Sequence, residues 1–185
     1  MVLLVGCGDE AEPGKPPPPE PPAIPAPDVK WMMVQGTRKL GWDLDVWVPS
    51  TWIDGYKVLD DGRQIHFRGP AADDGWNPEL QFGWMSSATP VDALVRKRIG
   101  DLEALPSGRV ETRGSATVAG MPATYFVYAF ERSAGGKPQE MREIQFYFGD
   151  RGYLGLVRGV CSARMFPECL AIYREAAARL RYNPQ

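Results

Sequence analysis

The sequence predicts an α+β fold, an antiparallel β-sheet flanked by helices. Three observations predict it. Short segments of alternating apolar and polar residues recur from Trp31 onward, the period of half-buried strands. Gly114 to Phe130, GSATVAGMPATYFVYAF, has a strand, tight turn, strand pattern whose second arm is apolar on both faces, as in a strand covered on two sides. Two well-separated stretches, Val91 to Leu105 and Phe166 to Leu180, follow a 3.6-residue period instead, and strands with segregated helices make an α+β sandwich.

Taken in order, Lys30 to Lys39 alternates Trp31, Met33 and Gln35 as a first strand, and Gly41 breaks it. Trp42 to Trp52 sets Trp42, Leu44, Val46 and Val48 against Asp43, Asp45 and Trp47, a half-buried strand ending at Pro49. Asp60, Asp61 and Gly62 make a turn into a strand over Gln64 to Arg68, with Ile65 and Phe67 on one face and His66 on the other. Pro70, Gly75 and Pro78 mark Gly69 to Trp84 as loop, with Gln81 to Met85 as a returning strand. The first helix has Thr89 as its cap, Pro90 at its first position, Asp92 in its first turn, and a face of Val91, Leu94, Val95, Arg98, Ile99, Leu102 and Leu105. Pro106, Ser107 and Gly108 end it. Arg109 to Val118 then runs to a corner at Gly120, Met121 and Pro122, Ala123 to Phe130 runs back, and strands follow at Met141 to Phe148 and Tyr153 to Cys161. Phe166, Leu170, Tyr173, Ala177 and Leu180 form the apolar face of the last helix, with Pro167 near its start.

Composition separates a tether from a domain. The chain has 185 residues and 18 prolines, nine of which precede residue 28. Of the net charge of −2, Asp9, Glu10, Glu12 and Glu20 against Lys15 account for −3, so the remainder is close to neutral. A near-neutral domain argues against nucleic acid as a partner. Residues 8–29 form a disordered linker, of which the 20 residues from Gly8 to Pro27 are too polar and proline-rich to pack a core and at ~3.1 Å per residue in polyproline II reach roughly 60 Å.

The tether follows MVLLVGC, in which Leu4, Val5, Gly6 and Cys7 resemble a bacterial lipobox. The resemblance implies that residues 1–7 are the end of a signal peptide whose natural start lies upstream. Cys7 then receives the lipid that anchors the protein on the membrane, because acyl chains contribute ~0.8 kcal/mol per buried CH₂. Gly8 follows Cys7 where an aspartate would retain an enterobacterial lipoprotein at the inner membrane, which favours the periplasmic side of the outer membrane. Cys161 and Cys169 are then left as an even pair, and in an exported chain they are expected to form a disulfide; two buried thiols are the alternative.

Val48-Pro49 with Trp52, the turn AGMPATYFVYAF, the aromatic strand IQFYFGDRGYLGLV and a terminal helix closing on Leu180-Arg181 together resemble the PsbP-like proteins. That fold is shared by the photosystem II subunit that names it, a nuclear Ran-binding protein and small bacterial lipoproteins related to DcrB. The resemblance covers roughly residues 30 to 182. It implies a PsbP-like α/β/α sandwich over residues 30–185, no cofactor, and a role as a monomeric binding or assembly accessory of the cell envelope rather than an enzyme. It supplies no catalytic residue.

Candidate site residues come from the irregular loop. Trp76 with Asp73, Asp74, Asn77 and Glu79 mixes an aromatic ring with polar groups in a way that suits a sugar, peptidoglycan or peptide ligand. Asp73, Asp74 and Glu79 lack the spacing of a calcium loop, and one histidine beside a cysteine pair does not make a zinc site. The alternative is a small envelope hydrolase in which His66, the lone histidine, works with Asp73 or Asp74.

Overall fold

The computed structural model describes residues 28–34, 37, 40–55, 57–59, 62–134, 137–149 and 152–183. Cys7, the proline-rich segment and the turn at Asp60 and Asp61 lie outside the described residues. The strands are β1 (Trp31–Met33), β2 (Leu44–Asp45), β3 (Trp47–Pro49), β4 (Lys57–Leu59), β5 (Gln64–Arg68), β6 (Glu79–Ser86), β7 (Arg109–Val118), β8 (Met121–Ala134), β9 (Lys137–Phe148), β10 (Tyr153–Ser162) and β11 (Arg181–Tyr182). The helices are α1 (Val91–Glu103) and α2 (Phe166–Arg179), with a 3-10 turn over Ser50–Gly55.

Seven strands form one sheet in the order β4-β5-β6-β10-β9-β8-β7, antiparallel at every pairing. The pairs β1 with β3 and β2 with β11 form two small ribbons. The sheet has a hydrophobic layer on each side. On one face Phe67, Phe82, Tyr125, Phe146 and Val157 pack against Trp52, Tyr173 and Ala177. On the other, Phe126, Tyr128, Tyr147 and Leu154 receive Val95, Ile99 and Leu102 of α1. This is the expected α/β/α sandwich, and β8 is buried on both faces because it is an interior strand, one in from the edge strand β7.

The β7–β8 hairpin turns on Ala119 and Gly120, with φ of 52° and 78°, the two positive-φ positions of a two-residue primed turn. The corner therefore lies earlier than the proline suggests. Val118 and Met121 form the closing pair, so Pro122 directs its missing N–H away from β7. Pairing to β9 begins only at Ala123, and no ladder donor is lost.

The Tyr173 ring of α2 rests directly on the backbone of Gly159 in β10. A Cβ there would fall 2.2 Å from the Tyr173 ring. With that approach the Tyr173 hydroxyl donates to the Val160 carbonyl at 2.8 Å, and the ring meets Trp52 edge-on at 6.3 Å.

Several boundaries differ from the sequence reading. Pro90, not Thr89, is the N-cap residue of α1, with no side-chain cap bond; Thr89 is tied to Ser87, whose hydroxyl accepts the Thr89 N–H at 3.2 Å. The Trp42 to Trp52 strand divides at Val46 into β2 and β3, because its halves pair with different partners, β11 and β1. The irregular loop is shorter than expected, since β6 already begins at Glu79 opposite Arg68. No described helix is long and apolar enough to cross a membrane.

Candidate functional site

The two faces of the sheet are not covered equally. α1 lies over the β7 to β9 end, and Val91, Leu94, Met85 and Leu156 extend its apolar layer. Across β5, β6 and β10 the same face carries polar side chains, because alternation assigns Ile65, Phe67, Leu80, Phe82 and Val157 to the opposite layer. Two cross-strand rows result. Lys57, His66, Gln81, Arg158 and Gln145 stand side by side on β4, β5, β6, β10 and β9; Arg68, Glu79, Val160 and Glu143 form the next row.

Arg158 is the centre of this strip. It stands between two copies of one tetrapeptide pattern, Glu79-Leu80-Gln81-Phe82 on β6 and Glu143-Ile144-Gln145-Phe146 on β9. One guanidinium nitrogen, Nη2, donates to Glu143 Oε2 at 2.5 Å and the other, Nη1, to Gln81 Oε1 at 3.2 Å. Burial pushes the Arg158 pKa down, but the Glu143 carboxylate and Glu79 beyond it outweigh that and hold it above its ordinary value. Gln81 in turn donates to Gln64 Oε1, Gln145 donates to Glu143 Oε1, and the Tyr147 hydroxyl donates to Gln145 Oε1 at 2.6 Å. Arg98, the one polar residue on the inward face of α1, lies beside Tyr147, whose hydroxyl pKa is raised by burial.

The ion pair orients every amide in the strip. Arg158 has only donors and the Glu143 carboxylate only acceptors. Gln81 must therefore turn its oxygen to Arg158 and its nitrogen to Gln64, and Gln145 its nitrogen to Glu143 and its oxygen to Tyr147. At the outer end Glu79 faces His66 Nε2 at 3.3 Å and Arg68 Nε at 3.4 Å. Those neighbours, His66 foremost, hold its carboxyl below the ordinary 4.5.

The loop residues singled out from sequence do not converge on one site. Asp74 secures the loop: its Oδ1 accepts the Trp76 N–H at 3.0 Å, and its Oδ2 accepts from Ser162 and, at 3.3 Å, from Gln139. Burial pushes the Asp74 carboxyl up, and the Ser162 hydroxyl, the Trp76 N–H and Arg164 outweigh it, leaving it below the ordinary 3.8. Asn77 donates to the Gly69 carbonyl at 2.8 Å, closing the base of the loop. Trp76 is half-buried beneath the Arg132 guanidinium, 4.8 Å from the ring centroid. Asp73 is exposed and lines a shallow depression of about 260 Å³ with Arg164, Met165 and Glu168 at the start of α2. Glu79 alone belongs to the strip. His66 meets Glu79 and not Asp73 or Asp74, so the acid-base arrangement expected of a hydrolase is not assembled there.

Cys161 and Cys169 are brought together as expected, both buried, but as free thiols rather than a bridge. The hydrogen bond between them pushes the Cys161 thiol up and the Cys169 thiol down.

Sequence reasoning missed Gln64, Gln81, Glu143, Gln145, Tyr147 and Arg158. The signal that reveals them is the repeated Glu-x-Gln-Phe, whose polar positions are amides and carboxylates where a solvated strand face more commonly carries Thr or Lys.

No protein-family model and no curated protein matches the sequence. Solved structures do. The chain superposes on PA94 of Pseudomonas aeruginosa, a protein of unknown function, with a TM-score of 0.56 at 16% identity, covering 76% of this chain and 92% of that one. LpqN of Mycobacterium tuberculosis, described as involved in cell envelope biogenesis, gives a TM-score of 0.55 at 13% identity over 85% of this chain and 93% of that one. Cyanobacterial PsbP of Synechocystis gives 0.54 at 10% identity over 97% and 98%. With the sheet order, the two helices and the two-sided core already described, these likenesses identify the domain as PsbP-like in fold.

Proposed function

We propose that this chain is a lipid-anchored protein of the bacterial cell envelope whose PsbP-like domain is a non-enzymatic binding or assembly accessory. The observation that carries the binding role is the strip around Arg158: half-buried Gln64, Gln81 and Arg158 at the sheet surface, ordered by hydrogen bonds to one another and to the buried Glu143 before any ligand arrives. Such pre-ordering lowers the entropy cost of association. The Arg158–Glu143 pair is satisfied within the strip, and His66 faces Glu79 instead of a nucleophile.

The envelope address rests on the lipobox-like Leu4 to Cys7, the proline-rich tether and the fold shared with LpqN, a protein of envelope biogenesis. In this reading Cys7 is acylated, the domain stands as a monomer on the periplasmic side of the outer membrane, and Cys161 and Cys169 become a disulfide there. Its partner is an envelope protein or glycan. The test is phase partition with Triton X-114 of full-length protein expressed from its natural upstream start. Recovery in the detergent phase, lost in Cys7→Ser, is expected; a water-soluble product with unmodified Cys7 overturns the anchor.

A further inference from the structure

We propose that the strip formed by Lys57, Gln64, Gln81 and Arg158 binds an acidic peptide segment of a partner protein through that segment's Asp and Glu carboxylates. This rests on the domain being a binding module, and it names the chemistry that module selects.

The argument is a count of donors and acceptors. The hydrogen bonds diverge from Arg158, to Glu143 on one side and through Gln81 to Gln64 on the other, and a second path from Tyr147 through Gln145 converges on Glu143. Each acceptor along these paths, Gln145 Oε1, both Glu143 oxygens, Gln81 Oε1 and Gln64 Oε1, already takes one hydrogen bond, and the Glu79 oxygens face His66 and Arg68. Unpaired N–H donors stand beside them. The Gln64 amide keeps both of its N–H groups without a partner among the described residues, and Gln81 keeps one. Arg158 has further N–H groups, and the Lys57 ammonium is exposed at the edge of the row.

Charge points the same way. Four cations, Lys57, Arg68, Arg98 and Arg158, stand against two carboxylates, Glu79 and Glu143, in the strip and at its α1 border. Gln81 and Arg158 are neighbours about 4.8 Å apart in one cross-strand row. Lys57 lies two strands from Gln81 in the same row and Gln64 two residues off it, a patch that the flexible Asp and Glu side chains of one peptide segment can reach. A neutral sugar gains nothing from the surplus positive charge, whereas a carboxylate takes both the N–H donors and the charge. The orientation cannot be reversed by turning an amide, since the Arg158–Glu143 pair sets each one.

The experiment is fluorescence anisotropy of fluorescein-labelled hexaglutamate titrated with the full-length protein, with hexalysine and chitohexaose as competing ligand classes. The expected result is binding of hexaglutamate that weakens with salt and falls about tenfold in Gln64→Glu, which exchanges two donors for a repelling carboxylate. Arg174→Gln, an equal loss of positive charge on α2 across the sheet, should leave it unchanged. Equal losses in both variants would reduce the effect to net charge and overturn the site, as would preferred binding of hexalysine or chitohexaose. A benzophenone placed at position 64 separates the two levels of the argument. Crosslinking to an envelope component without hexaglutamate binding sinks the preference for acids but leaves the binding module standing; neither signal, in protein that remains folded, sinks both.

Discussion

Replacing Arg158 with methionine tests whether the strip is a locked network or a set of independent surface contacts. The Glu143 side chain is only 4% exposed and that of Arg158 27%. Arg158→Met therefore leaves a carboxylate in the sheet with the Gln145 amide as its remaining donor among the strip residues. Removing one partner of a buried ion pair costs about 3–5 kcal/mol, because the desolvation of the survivor is no longer offset. For a domain of this size, at about 2–4 °C per kcal/mol, the melting temperature should fall by roughly 6–20 °C. Adding Glu143→Gln removes the stranded charge, so the double variant should be more stable than Arg158→Met alone. Urea denaturation followed by tryptophan fluorescence measures all three. A loss below about 1 kcal/mol in Arg158→Met, the value typical of a solvated surface pair, would refute the reasoning, as would a double variant whose loss is the sum of the singles.

Other parts of the structure make independent predictions. The depressed carboxyl of Glu79 contributes stability above its ordinary 4.5 that is lost as pH falls through its lower folded value; Glu79→Gln should flatten the acid limb of a melting-temperature profile below about pH 4.5 and no other part of it. Gly159→Ala should destabilise by about 1–3 kcal/mol or more, since the new methyl meets the Tyr173 ring, and an unchanged urea midpoint would mean that α2 sits further from the sheet. Asp74→Ala should raise amide exchange over residues 70–77 while leaving β8 and β9 protected, because it releases the loop from Ser162 and Gln139. In protein recovered from the envelope, Cys161 and Cys169 should resist alkylation until reduced; immediate labelling on denaturation would show that the thiols stay free.

Much of the fold is legible in the chain because alternation is a local property. Gln64 to Arg68 and Arg109 to Val118 have their predicted bounds, each having a clear breaker on either side. Lys57–Leu59 and Arg181–Tyr182 were invisible, being two or three residues long and defined by their partners alone. Glu79 reads as loop in the sequence because Pro78 precedes it, although its pairing with Arg68 makes it the first residue of a strand. The strip was harder still. Gln81 and Arg158 lie 77 residues apart, and only the order β6-β10-β9 makes the two Glu-x-Gln-Phe segments neighbours on either side of one arginine. Nothing in a strand's own sequence states which strand will lie beside it.

That order also determines when the molecule can become whole. β7 to β10 form a run of hairpins whose contacts are close in sequence, so they can pair early at little cost in loop closure. β6 cannot join the sheet until β10 exists, and β2 waits for β11, the last strand of the domain. The β4-β5-β6 unit can pair within itself but has no sheet to join, and β2 no partner strand, while the chain is still emerging. A polypeptide cut between α2 and β11 should retain every strand of the seven-stranded sheet and leave β2 without its partner. The Arg158 strip is complete only after β6 closes against β10.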